Sequence, residues 1–405
     1  VTRLAIDGGD PVRTVPFQPW PSFTEDDVDA VADVLRSGKV NYWTGPLGRR
    51  FEESFASYVG TRSALSMMNG TVALHAALAA LDLHTGDEVL VPARTFVATA
   101  NAVVLAGGVP VFADVDPDTQ CISVESAAAC VTDRTRGVIA VHLGGWPAPM
   151  RQLRALAAAH DLFVIEDCAQ ALGATLDGAM VGSLGDAAAF SFCQDKIVTT
   201  GGEGGMLTCS DDDVWQRAWS LRDHGKSYAR SAQQQSDAWG VAFCWLNDEV
   251  GSNWRMTEMQ AALGLAALKK LPAMLDIRRS HAAQLDAGFG SIRGLRVTVP
   301  PSGVGHAYYK YYAFVRPDVL AEDWTRDRIA AAVNAEGIPC FTGSCPEVYL
   351  EDSFVRRDLG PAERLPIAKT LGENSLMFLV HPTLTSTEMA DTVDAVGKVM
   401  RQAVR

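Results

Sequence analysis

The chain has 405 residues, enough for one large domain and a smaller one, and its composition is that of an ordinary globular protein without low-complexity blocks. Its formal net charge of -13 argues against a nucleic-acid partner or an anionic membrane surface. No apolar stretch reaches the length of a membrane span.

The opening residues, VTRLAIDGGDPVR, lack the charged, apolar and small-residue order of a secretory signal, so a cytoplasmic location is expected. The eight cysteines form no CxxC pair, Cys340 and Cys345 are spaced wrongly for a zinc knuckle, and the eight histidines form no HExxH. Reduced thiols and no metal site are the expectation.

Amphipathic spacing predicts a helix from Glu25 to Ser37, with Val28, Val31, Val34 and Leu35 on one stripe, and another around Arg49 to Tyr58. VNYWTGP between them reads as a loop. An apolar run near Ala64 then leads through NGT into the helix VALHAALAALDL, and a regular alternation begins. DEVLVPA, VPVFADV, GVIAVHL and DLFVIEDCA read as strands; TFVATANAVVLAG, SVESAAACV and MRQLRALAAAH read as helices. This pattern predicts an α/β fold, a mostly parallel sheet flanked by helices, with ligands at the carboxyl ends of the strands.

The alternation ends after the strands AAAFSF and GMLTC. Residues Asp211 to Trp254 read as a mixed polar region, followed by a helix TEMQAALGLAALKKL broken at Pro272 and a long helix starting near Met274. PSGVGHAYYKYYAFVRP reads as a tyrosine-rich strand, Arg326 to Glu336 as a helix, and LMFLVHPTLT precedes a closing helix. The expected division is 1–269, an N-terminal arm with a large domain, and 270–405, a small α+β domain.

Within FSFCQDKIVTTGGEGG, Lys196 ends a buried-looking strand and precedes a turn with four glycines in five residues. A snorkelling surface lysine is one explanation; an amine held in a pocket as a nucleophile is the other. Four further features fall at strand ends or strand-to-helix turns. Asp167 closes an apolar strand, where a carboxylate is costly unless paired. Asn69-Gly70-Thr71 opens a helix, which makes an anion seat, and Ser191 precedes Lys196 by five residues. Phe96, just after a strand, can lie over a flat ligand. Each has an ordinary structural explanation: a capping carboxylate, a capping hydroxyl, a strand serine, a core ring. Together they supply what pyridoxal phosphate requires, namely an amine, a carboxylate for the pyridine nitrogen, an anion seat and an aromatic cover.

The ordered blocks NGTVALHAALAAL, GDEVLVPARTFVATANAV, GVPVFADVD, AVHLGGWP, VIEDCAQALGA, FSFCQDKIVTTGGEGG, GSNWRMTEMQAALG and VHPTLT resemble the DegT/StrS family of sugar aminotransferases over nearly the whole chain. The resemblance implies the fold-type I pyridoxal-phosphate architecture. By it, Lys196 matches the Schiff-base lysine, Asp167 the partner of the pyridine nitrogen, and Gln170 the residue near the ring hydroxyl. Gly70, Thr71 and Ser191 match phosphate contacts and Phe96 the stacking aromatic. Asn253 matches an asparagine reaching the phosphate of a neighbouring subunit, which implies a homodimer with shared sites. Relatives with histidine in place of the lysine perform a dehydration, so Lys196 points to transamination.

The activity implied is amino transfer from L-glutamate or L-glutamine to a keto sugar, foremost a nucleoside-diphosphate-linked 4-keto-6-deoxyhexose, with a keto cyclitol as the alternative. Tyr42 and Trp43 of VNYWTGP, Glu203 of the glycine loop, Arg255 beside Asn253 and the late His381 are candidate substrate contacts. Packing explains Tyr42, Trp43 and His381 equally well, and a carboxylate partner explains Arg255. CFTGSCPEVY lies where relatives line the sugar pocket. A non-catalytic cofactor-sensing regulator is disfavoured by the acidic charge and the lack of a helix-turn-helix segment. GGEGG fits neither GxGxxG nor the P-loop spacing.

Overall fold

Short apolar runs bounded by Gly, Pro or Asp become a seven-stranded sheet in the computed structural model of the chain, which describes residues 3–236 and 245–405. In chain order the strands are β1 (Ser63–Met67), β2 (Glu88–Pro92), β3 (Val109–Ala113), β4 (Thr135–Val141), β5 (Phe163–Asp167), β6 (Ala187–Ser191) and β7 (Gly205–Cys209). Their spatial order is β1-β7-β6-β5-β4-β2-β3. Only β7 runs against its neighbours; the pairs β2–β3, β2–β4, β4–β5 and β5–β6 are parallel. β2 is buried along its whole length, as a strand covered by helices on both faces must be. This is the expected α/β architecture.

The helices that matter below are α1 (Glu25–Ser37), α2 (Leu47–Val59), α3 (Gly70–Ala80), α4 (Val97–Leu105), α5 (Met150–His160), α6 (Asp212–Arg222), α7 (Glu258–Phe289), α8 (Arg326–Ala335) and α9 (Ser386–Ala403). Two of them correct the sequence reading. The region expected to be mixed and polar contains α6, capped by Asp211, whose side chain accepts from the amides of Asp213 and Val214. Its buried face, Val214, Ala218 and Trp219, is narrow and easily missed among charged residues. Residues 237–244 of that region lie outside the described residues.

The break expected at Pro272 does not occur. α7 runs for 32 residues straight through it. An interior proline loses one backbone hydrogen bond and costs about 3 kcal/mol, yet α7 packs along α1, α2 and α9 and is fixed at its start by a capping box between Thr257 and Gln260. Burial on both sides of the proline outweighs the local loss. The 269/270 division therefore falls inside one helix.

The C-terminal residues build a second, antiparallel sheet. Its strands are β8 (Leu295–Val297), β9 (Tyr311–Val315), β10 (Cys340–Phe341) and β11 (Ser375–Phe378), in the order β8-β9-β11-β10. The tyrosine-rich strand is confined to β9, so Ala307–Lys310 is free to act as a loop. α7, α8 and α9 cover this sheet around Phe289, Leu376, Phe378 and Val396, and Leu4 from the N-terminal arm joins the same core. Among the described residues no helix is long and apolar enough to cross a membrane.

Candidate active site

The carboxyl ends of β1, β2, β5 and β6 open into a cavity of about 630 Å³. Each end delivers one of the residues singled out in the sequence. After β1, Asn69 caps α3 through its side chain, which accepts from the Val72 amide at 3.0 Å. The amides of Gly70 and Thr71 lie in the first helical turn, where no preceding carbonyl is available to accept from them. Close packing fixes this turn. A Cβ on Gly70 would stand 2.8 Å from the Ser191 Cβ, and one on Gly205 would stand 2.4 Å from the Asn69 carbonyl carbon. Ser191, at the end of β6, thus sits directly beside the helix N-terminus.

Asp167 ends β5 and is buried. Its Oδ2 accepts from Thr99 Oγ1 at 2.8 Å and its Oδ1 from the Ala169 amide at 3.1 Å. Thr99 in turn contacts Thr95 at 2.9 Å. Burial pushes the Asp167 carboxyl above the usual range, and the two hydrogen bonds oppose that rise only in part. Its bonded donors are neutral, so a cation in the cavity is what would balance it. Gln170 is also buried, and its Oε1 accepts from the Gly144 amide at 2.8 Å, leaving its NH2 group to donate into the cavity. Phe96 lines the same space and is 63% exposed, an aromatic face with no protein cover.

Lys196 enters from the loop after β6. Its Nζ lies 3.1 Å from Asp195 Oδ1 and 3.4 Å from the Tyr309 hydroxyl, and the Tyr309 hydroxyl donates to the other Asp195 oxygen. Trp20 Nε1 anchors the loop by donating to the Lys196 carbonyl at 2.9 Å. Lys310 lines the cavity too, and burial pushes its amine down to about 8. Thr99, Asp195, Tyr309 and Lys310 were not singled out in the sequence. The acid beside Lys196 and the run AYYKYY were the available signals for three of them; Thr99 left none.

The substrate candidates separate. Glu203 lines the cavity, with Phe341, Gly343, Ser344 and Cys345 of the CFTGSCPEVY segment. His381 faces an adjoining cavity of about 620 Å³ that shares Asp195, Lys310, Phe341 and Leu379 with the first. It stacks on Trp20 with ring centroids 6.0 Å apart, and burial pushes its imidazole down to about 3. Tyr42 and Trp43 of VNYWTGP line neither of these cavities of their own chain. The Tyr42 hydroxyl donates to buried Glu52 at 3.0 Å, and Trp43 Nε1 donates to Asp223 at 2.9 Å. Both line a separate space of about 300 Å³ with Arg49, Trp215 and Trp219. Arg255 is likewise elsewhere, with Nη1 2.8 Å from Asp223 Oδ1 in the same chain. Asn253 is exposed and outside the cavity, on the segment that pairs with Asp223 beside β1.

Beneath the site, His142, Glu166 and Cys168 place potential ligand atoms within 4.8 Å of one another. The oxygens of Glu166 are already taken by the amides of Gly182, Leu184 and Gly185 and by His142 Nε2, and the His142 Nδ1 accepts from Ala148. His142 and Glu166 thus belong to one hydrogen-bond network.

The family model of DegT/DnrJ/EryC1/StrS aminotransferases matches residues 21–397. The chain belongs to this family. An aminotransferase from Psychrobacter cryohalolentis, solved by X-ray crystallography, superposes on this aminotransferase with a TM-score of 0.92 and 50% identity, covering 96% of this chain and 100% of that one. The L-glutamine:2-deoxy-scyllo-inosose aminotransferase of Streptomyces fradiae is 34% identical over 423 residues, 99% of this chain and 98% of its own. The GDP-perosamine synthase of Caulobacter vibrioides is 34% identical over 363 residues, 88% and 92% of the respective chains.

Proposed function

We propose that this aminotransferase uses pyridoxal 5'-phosphate to move an amino group from L-glutamate or L-glutamine to a keto sugar, foremost a nucleoside-diphosphate-linked 4-keto-6-deoxyhexose. The observation that carries the reading is convergence: Lys196, Asp167, uncovered Phe96, Ser191 and the N-terminus of α3 share one cavity. The residues present fit the cofactor. Facing the cavity are a buried carboxylate whose two hydrogen-bond donors are neutral, an aromatic ring that is largely exposed, and a helix start beside a serine hydroxyl.

When bound, the cofactor supplies an aldehyde that takes up the amino group and a ring that stores the electron pair released at the donor's α-carbon. Lys196 would be the amine that holds the cofactor through its aldehyde and the base that moves the donor's α-proton. Asp167 keeps the pyridine nitrogen protonated, because its buried charge is worth most against a cation. The Gly70 and Thr71 amides with the Ser191 hydroxyl would hold the phosphate, Phe96 would cover the ring, and the Gln170 NH2 group would donate to the ring hydroxyl. Asn253 of the partner subunit completes the phosphate seat in a homodimer. Its exposure here supports that role. Glu203 and His381 are the remaining candidates for sugar hydroxyls. The reaction belongs to the cytoplasm and involves neither nucleic acid nor membrane.

A keto cyclitol is the second reading, supported by the likeness to the scyllo-inosose enzyme over 99% of the chain. The test is to convert the protein to its pyridoxamine form with L-glutamine and then offer each acceptor separately. Return of the aldehyde absorbance with the nucleotide-linked keto sugar supports the first reading. Return only with the cyclitol replaces the first acceptor by the second, and return with neither overturns both.

A further inference from the structure

The proposed chemistry gives Lys196 two positions, joined to the cofactor and free, and its Nζ has polar partners of its own at the cavity wall. Lys196 Nζ, the Asp195 carboxylate and the Tyr309 hydroxyl close a triangle, with contacts of 3.1 Å and 3.4 Å to the amine and the tyrosine donating to the acid. Among the described residues, Asp195 is the one acid in ion-pair contact with Lys196. The Tyr309 ring is shared as well. Lys196 Nζ and Lys310 Nζ lie 5.0 Å and 4.8 Å from its centroid.

The charges around the triangle favour such a seat. Lys310 lies on the same loop as Tyr309, and Arg278 from α7 donates to the carbonyls of Tyr308 and Tyr309. His381 faces the adjoining cavity. Asp167 is committed to Thr99 and Ala169, and Glu203 stands on the glycine loop near Cys193. A free Lys196 ammonium therefore meets Lys310 and Arg278 as like charges, and the acid that can hold it is its own chain neighbour. Burial pushes the Asp195 carboxyl up, but the charge of Lys196 and the Tyr309 hydroxyl outweigh burial and hold it below the usual carboxylate range.

We propose that Asp195, braced by Tyr309, is the resting seat of the free Lys196 amine, a positioning pair that holds it at the cavity wall between its engagements with the cofactor. The inference rests on Lys196 being the cofactor lysine. It uses no residue that the phosphate, ring or nitrogen contacts require.

The test uses the full-length holoenzyme in its pyridoxamine form, in which Lys196 is free. Brief acetylation with acetic anhydride at pH 7, read by peptide mass spectrometry, reports the reactivity of each amine, with exposed Lys39 as the internal reference. Asp195→Asn removes the charge but keeps the shape, and is expected to raise Lys196 labelling about fivefold relative to Lys39, the effect of losing one opposite charge in a half-exposed contact pair. Tyr309→Phe keeps the acid and removes the brace, and is expected to raise it about threefold. Unchanged Lys196 labelling in Asp195→Asn, or an equal rise at Lys39, overturns the proposal. Borohydride reduction of the aldehyde form separates the two levels. Cofactor fixed on another lysine removes the functional reading itself, whereas cofactor on Lys196 with unaltered labelling removes only the seat.

Discussion

Thr99 donates its hydroxyl proton to Asp167 at 2.8 Å, across a sequence separation of 68 residues, and both side chains are buried. This bond aims one oxygen of Asp167 through a neutral donor, which leaves the acid's charge in place. The charge is what the proposed chemistry uses. Asp167→Asn keeps the shape and loses the charge, so the donor half-reaction is expected to slow by about a thousandfold or more, roughly 4 kcal/mol of barrier. Thr99→Val keeps the charge and loses the aim, with an expected loss of about tenfold. Stopped-flow absorbance with L-glutamine measures both. Near-normal rates in Asp167→Asn would remove the carboxylate from the mechanism.

Phe96 separates a cofactor role from a packing role. Its ring is 63% exposed, so Phe96→Ala is expected to change the unfolding free energy of the cofactor-free chain by no more than about 0.5 kcal/mol. Cofactor affinity is expected to fall about three- to tenfold, the usual worth of an aromatic stack. Urea unfolding and fluorescence titration read the two quantities. A large stability loss with unchanged affinity would make Phe96 an ordinary packing residue.

Much of this was legible in the sequence, and the reasons differ by element. The apolar runs of β2, β5 and β6 and their punctuation by Gly and Asp are local signals, so the parallel sheet could be read directly. The ends of those runs marked Asp167, Ser191 and Lys196. Pro272 misled because a local rule was overridden by the packing of α7, which no local window contains. The long-range partners of Tyr42 and Trp43, Glu52 and Asp223, were likewise outside any local window. The Tyr309–Asp195 contact spans 114 residues, and nothing in either stretch announces it.

His306 offers a pH-dependent check on the fold. Burial pushes its imidazole down to about 3, with Arg279 acting in the same direction, and its Nδ1 accepts from the Tyr308 amide at 2.7 Å. The unfolded chain takes up a proton there from about pH 6.5 downward, while the folded chain refuses it until far lower pH. The contribution is therefore intact above pH 6.5 and is lost as pH falls from there towards 3. Between pH 7 and pH 5 it amounts to about 2 kcal/mol. His306→Gln keeps an acceptor for Tyr308 but cannot titrate, so its stability should fall by about 2 kcal/mol less than that of the parent over the same interval. Chemical denaturation at both pH values checks this, and equal losses in the two proteins would contradict it.

The central claim is that Lys196 is the amine of a pyridoxal-phosphate aminotransferase. The most direct measurement is borohydride reduction of the loaded protein followed by peptide mass mapping, with Lys196→Ala in parallel. The account predicts one pyridoxyl group per chain, on the peptide containing Lys196, and no covalent label in the variant. A label on another lysine, or equal labelling of Lys196→Ala, would contradict it.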